Sequence, residues 1–122
     1  MMDINQALSD LKDHPQFTEK VGMILIHNGV VREWSREDKR GVKQLEVNPD
    51  LEKIRTIQKD LENKPGIFKV IVQSSQGVCK PGDDLLYIIV AGDIRENVKP
   101  VLSEALERIK TEAINKHEVY IS

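Results

Sequence analysis

Two short apolar runs, Ile67-Phe68-Lys69-Val70-Ile71-Val72 and Leu85-Leu86-Tyr87-Ile88-Ile89-Val90, decide the fold class. Both are rich in β-branched and aromatic residues and bounded by turn-forming residues, which predicts strands. Between them, Lys80-Pro81-Gly82-Asp83 suits a type II turn. Proline presets the second position and glycine accepts the positive φ of the third. The expected unit is a pair of neighbouring antiparallel strands.

On the N-terminal side of this pair, Asn48-Pro49 reads as a helix start, with Asn48 as cap and Pro49 in the first helical position. Leu51, Ile54, Ile57 and Leu61 continue as a helical stripe that ends near Asn63, before Pro65-Gly66. Val42 to Val47 alternates as a strand. Val21 to Val31 is apolar and β-branched, so it predicts another strand, but Asn28-Gly29 inside it signals a hairpin or a bulge. The intervening Arg32 to Gly41 is almost wholly charged and lacks periodicity, which predicts a solvated, mobile loop. Ile4, Ala7, Leu8 and Leu11 have helical spacing behind the capping residue Asp3.

Downstream, Val98, Val101, Leu102, Ala105, Leu106, Ile109 and Ala113 mark a third helix, with Pro100 expected in its first turn. Residues His117 to Ser122 suggest a short last strand. The predicted order α-β-β-α-β-β-α-β over residues 1–122 is one α+β domain, with helices packed on a mainly antiparallel sheet.

Composition narrows the function classes. There are 122 residues, 18 Lys+Arg and 20 Asp+Glu, a net charge of −2, and only five Phe, Trp and Tyr together. That is neither the electrostatic footprint nor the stacking surface of a nucleic-acid binder. No apolar run approaches a bilayer span, and Met1-Met2-Asp3-Ile4-Asn5 carries no basic stretch before an apolar core, so the expectation is a cytoplasmic protein without membrane contact. The single cysteine, Cys79, excludes an internal disulfide or a multi-thiolate cluster within one chain. His14, His27 and His117 share no metal-ligand spacing, so neither a metal nor a cofactor is expected.

What remains for chemistry is a set of cations at element ends. Arg95 falls at the start of the third helix, where free backbone N–H groups and the helix dipole already favour an anion. Lys110 lies one turn beyond Leu106 and borders the apolar stripe; Lys116 lies just past the expected helix end; Arg32 closes the long strand. On spacing alone each also fits a plain role, a lysine complementing a helix C-terminus or an arginine solvated at a strand end.

Taken in order, four pieces resemble the catalytic (large) subunit of molybdopterin synthase: Gly29-Val30-Val31-Arg32, the turn Lys80-Pro81-Gly82-Asp83, Arg95 at its distance from that turn, and Ile109-Lys110-Thr111 followed by Lys116-His117-Glu118. The resemblance implies an α/β-hammerhead-like fold and a homodimer of large subunits within a heterotetramer. Each large subunit would bind a small ubiquitin-like sulfur carrier protein, whose Gly-Gly thiocarboxylate delivers sulfur to a pterin phosphate substrate, cyclic pyranopterin monophosphate. By position, Lys110 and Lys116 would be the catalytic lysines, and Arg32 and Arg95 would bind the substrate phosphate or the carrier's carboxyl end.

This chain also departs from the family pattern. Ile94 stands where the family has His before Arg, Cys79 where it has Leu, and Ala113-Ile114-Asn115 where it has a Pro-aromatic-Trp segment. Lys110 and Lys116 are one residue closer together than the family's pair. The sequence ends at Ser122, without the family's longer C-terminal tail, which implies weaker carrier docking. Those departures leave a second expectation, a non-catalytic homologue that binds a ubiquitin-like partner or an anionic ligand.

Overall fold

The two diagnostic runs become adjacent antiparallel strands in the computed structural model, which describes residues 3–121. In chain order the elements are α1 (Ile4–Lys12), α2 (Phe17–Lys20), β1 (Met23–Val30), β2 (Val42–Pro49), α3 (Leu51–Glu62), β3 (Ile67–Ser74), β4 (Gly77–Cys79), β5 (Asp84–Gly92), α4 (Arg95–Arg108), a π-helical turn (Ile109–Ala113) and β6 (Ile114–Tyr120). The α+β class and the antiparallel pairing are as expected. The strands form two three-stranded sheets rather than one, in the orders β1-β5-β3 and β4-β2-β6.

Strand β5 explains why its sequence is apolar without alternation. It is the middle strand, and Leu85 to Gly92 are all buried. A strand covered on both faces has no polar side to display. One face, carrying Leu86, Ile88 and Val90, packs with Ile54, Ile57 and Leu61 of α3, Val98, Val101 and Ala105 of α4, and Leu45 and Val47 of the small sheet. The opposite face, carrying Ile89 and Ala91, is covered by Ile4, Ala7, Leu8 and Leu11 of α1.

Several local expectations are corrected. Asn28-Gly29 makes no hairpin: β1 runs through it, with a register shift between Gly29 and Val30. Helix α3 is capped by Asp50, whose side chain accepts from the Lys53 N–H at 3.0 Å, rather than by Asn48. Asn48 and Pro49 are already committed to the ladder opposite Asn115 and Ile114. Pro100 lies in the second turn of α4, not the first. It and Glu96 are exposed, so the carbonyl deprived of its donor faces solvent. Helix α2 and strand β4 were not anticipated. The last strand starts three residues earlier than expected, and the Ser122 of that expectation lies outside the described residues.

Candidate functional site

The Lys80-Pro81-Gly82-Asp83 turn positions the chain ahead of Arg32. Gly82 has φ +93°, the Asp83 N–H donates to the Lys80 carbonyl at 2.9 Å, and the Lys80 N–H donates to the Asp83 carboxylate at 2.8 Å. This turn grips the end of β1: the Val31 N–H donates to the Asp83 carbonyl at 2.9 Å, and the Gly82 N–H to the Val31 carbonyl at 2.8 Å. Val31 is buried, so Arg32 leaves the fold from a fixed point.

The charged segment that follows, expected to be a solvated, mobile loop, carries defined pairing. Trp34 and Gly41 form a β-bridge, Ser35 is buried, and the Ser35 N–H donates to the Arg40 carbonyl at 2.8 Å. Lys39 takes the left-handed conformation, φ 61°, that closes this turn. The Arg32 guanidinium lies 4.9 Å from the Trp34 ring centroid, the Lys39 ammonium 4.1 Å from the same centroid, and the Arg40 guanidinium 3.8 Å from that of Tyr120. These contacts were hidden in the sequence because charge runs are read as solvated when nothing says which ring each cation meets.

Lys110 sits in the π-helical turn that ends α4. Ile109 and Ala113 anchor this turn in the core, while Lys110 is exposed. The extra residue in a π turn rotates the side chains after it relative to a regular helix. Lys116 lies just past the end of the helical segment, as expected, but in a strand. It belongs to β6, where it pairs with Val47, and Glu118 pairs with Leu45. Cross-strand partners share a face, so Lys116 and Glu118 leave the small sheet on the side that carries its core residues. Lys116, His117, Glu118, Tyr120 and Leu45 line a groove of about 370 Å³. A second groove, about 310 Å³, adjoins it across Lys116 and His117 and reaches Val47 and Gly77.

Electrostatics tie the site together. The Lys116 ammonium is held below the ordinary lysine range, first by burial, then by Lys110, then by Arg32, with Arg36 adding to the effect and Glu118 opposing it. Lys116 exposes much of its surface, but the mass of protein around its ammonium makes the charge costly. The His27 imidazole, on the core-facing side of β1, is likewise held below its usual value by burial and then by Lys110. Its Nε2 is buried without a hydrogen-bond partner among the described residues. Arg32, Arg36, Lys110 and Lys116 therefore share one field. Arg36 and His27 were missed as members of it.

Arg95 does not join them within one chain. It starts α4 beside Gly92, whose ladder partner on β1 is Met23, whereas Arg32 follows Val30 at the other end of that strand. The eight residues of β1 separate the two arginines by roughly 20 Å. Arg95 is exposed and pairs with Glu96 at 3.5 Å.

Among the described residues no group of three or more His, Cys, Asp or Glu gathers as a metal site. Nor, among the described residues, is any helix long and apolar enough to cross a membrane. What the groove offers is an amine whose neutral form is made more accessible, next to cations able to stabilise a developing oxyanion.

The family model of the MoaE protein matches residues 2–112. No curated protein matches the sequence. The fold is similar to the X-ray structure of molybdopterin synthase from Staphylococcus aureus, at 23% identity and TM-score 0.72, covering 88% of this chain and 84% of that one. It is also similar to molybdopterin cofactor biosynthesis protein E from Burkholderia multivorans ATCC 17616, at 19% identity and TM-score 0.75, covering 98% and 84%. A third similar structure is a protein–protein complex of subunits 1 and 2 of molybdopterin-converting factor from Helicobacter pylori 26695, at 16% identity and TM-score 0.72, covering 98% and 80%.

Proposed function

The chain belongs to the MoaE protein family of molybdenum cofactor biosynthesis, and on that premise we propose that it is a sulfurtransferase of the molybdopterin synthase type, acting on cyclic pyranopterin monophosphate with a thiocarboxylated ubiquitin-like carrier as sulfur donor. The observation that carries this reading is Lys116: a lysine on the core-facing side of β6, lining a groove, its charged form disfavoured by burial, Lys110 and Arg32.

In this reading the carrier's extended Gly-Gly tail lies in the groove along β6. Its thiocarboxylate sulfur displaces an oxygen substituent from a carbon of the pterin precursor: the carbon–sulfur bond forms, the carbon–oxygen bond breaks with its electron pair leaving on oxygen, and an acyl–sulfur link joins carrier and substrate. Water adds to the acyl carbon, Lys116 as the neutral amine takes the proton, and the carbon–sulfur bond to the carrier breaks. The carrier departs as a carboxylate and the sulfur stays on the pterin. Lys110 and Arg32 stabilise the tetrahedral oxyanion on that path, and Arg32 binds the substrate phosphate. Arg95 lies at the far end of the sheet, so it completes the site from a second copy of the chain, in keeping with the dimer that the family resemblance implies. The reading places the protein in the cytoplasm.

The test is sulfur transfer with purified thiocarboxylated carrier and pterin precursor. The wild type forms product, and Lys116→Ala lowers turnover by about two orders of magnitude while leaving the fold intact. Absence of product where another family member works removes the catalytic reading. One observation favours a second reading, a binding homologue without turnover: Ile94, in the position of the family's histidine, is 52% exposed and makes no side-chain cap for α4. Tight carrier binding without product would support it, and appearance of product in Ile94→His would return the chain to the enzymes.

A further inference from the structure

Strand β6 carries Lys116, Glu118 and Tyr120 in alternation, so the three share one face, and all three line the same groove. Residues two apart on a strand stand about 7 Å apart, within reach of a lysine and a glutamate side chain. An ion pair between Lys116 and Glu118 is the expected outcome, because two opposite charges attract more strongly than a carboxylate and a neutral hydroxyl. It is not formed. Among the described residues Lys53 meets Glu112, Lys64 meets Glu104 and Arg108 meets three carboxylates, but Lys116 has no carboxylate within ion-pair distance. Glu118 is turned the other way: its carboxylate accepts from the Tyr120 hydroxyl at 3.0 Å.

Tyr120 is held for that task from several sides. The Arg40 guanidinium lies 3.8 Å from its ring centroid, its ladder partner Val42 is buried, and the Ile121 N–H donates to the Gly41 carbonyl at 2.9 Å. The hydroxyl is kept above the ordinary tyrosine value, first by the bond to Glu118, then by burial and the Glu118 charge, with Asp38 adding to the effect and Ser35 opposing it, so it stays a donor at neutral pH. The groups acting on Lys116 are Lys110 from the π turn, Arg32 and Arg36 from the segment after β1, and Glu118 from its own strand, the single anion among them.

We infer that Tyr120 is a positioning residue for the base of sulfur transfer: by engaging the Glu118 carboxylate it withholds that charge from the Lys116 ammonium and leaves the amine without an ion pair. This rests on the sulfurtransferase reading for the use made of Lys116, but not for the arrangement of the three side chains. With the hydroxyl removed, Glu118 turns to Lys116, the ammonium is stabilised, and less neutral amine is present to accept a proton from water.

Tyr120→Phe keeps the ring under Arg40 and removes only the hydroxyl. Titration of the Lys116 Cε–Hε resonances should show the midpoint displaced upward, with about threefold less neutral amine at neutral pH, and adding Glu118→Gln should reverse the displacement. In the sulfur-transfer assay Tyr120→Phe should lower kcat at neutral pH by the same factor. The deficit should close as pH rises through the lysine range, with KM for the pterin phosphate little changed.

A Lys116 midpoint unmoved in folded Tyr120→Phe overturns the inference. So does a displacement that Glu118→Gln leaves in place, since the carboxylate would not be its cause. Should Tyr120→Phe fail to fold, Glu118→Gln alone decides. The wild-type carboxylate acts on Lys116 only from a distance, so its removal should change the neutral fraction less than about twofold; a larger change would mean that the ion pair already exists and overturns the inference equally. Displacement and reversal in a protein without turnover would leave the inference standing while the catalytic reading falls.

Discussion

Lys116 and Val47 are paired across the β2–β6 ladder, so a lysine shares its side of the small sheet with a residue that is 3% exposed. A protein selected for stability alone has no use for a cation there, because its charged form is penalised by burial and by neighbouring positive charge.

Lys116→Met should therefore stabilise the fold at neutral pH, by about 0.5 kcal/mol or less given the solvent screening at this partly exposed position. The sign follows from linkage: the folded-state pKa lies below the unfolded one, so the unfolded chain holds more protons between the two values and stability rises with pH there. The advantage of Met over Lys is then present below the folded pKa and disappears above about 10.4. Urea unfolding midpoints at neutral and alkaline pH measure it.

His27 gives a second pH signature. Its pKa is depressed by burial and Lys110, so stability falls as pH drops from about 6.5 toward the folded value. His27→Phe should remove that acid-side loss. By eliminating an unpartnered buried Nε2 it should also raise stability by about 1 kcal/mol at pH 7. Thermal unfolding of both proteins between pH 5 and 7 (about one pH unit either side of the usual histidine value) would show parallel curves if the assignment were wrong.

Two glycines at positive φ separate strain from crowding. Gly66 has φ 79°, and a Cβ there would clash with the side chains of Asn97 and Asp93; Gly82 has φ 93° with open space around it. Gly82→Ala should cost about 1 kcal/mol, the left-handed penalty alone. Gly66→Ala should cost about 3 kcal/mol, since Asp93 and Asn97 must also move. Equal losses in denaturant titrations would contradict this packing.

Arg108 joins α4 to Asp60 on α3 and to Glu104 and Glu112 along its own path, and its side chain is only 26% exposed. Arg108→Ala should destabilise by about 1 kcal/mol, with the loss shrinking as salt is raised. A salt-independent loss would mean that packing of the arginine stem, not its charge, holds the helices.

Much of this molecule was legible in short windows of sequence. The apolar run Leu85 to Val90 announced a strand, Lys80 to Asp83 a turn with glycine at positive φ, Ile4 to Leu11 a helix behind an Asp3 cap. Each depends on propensity and periodicity within a few residues. The same windows misplaced the start of α3, since the ladder partners that claim Asn48 and Pro49 lie more than sixty residues away.

By itself, the sequence determined the types of the longer elements, the α+β class and the ordered set of motifs that marks the family. Only the tertiary structure decided which face of β6 Lys116 takes, that Arg36 and His27 share the field of Lys110, that Trp34 and Tyr120 hold arginines, and that Arg95 stands at the opposite end of the sheet. The physical reason is range. Backbone preference and apolar spacing are local and survive in any short segment, whereas strand register and electrostatic coupling between distant side chains exist only once the chain has closed its long-range contacts.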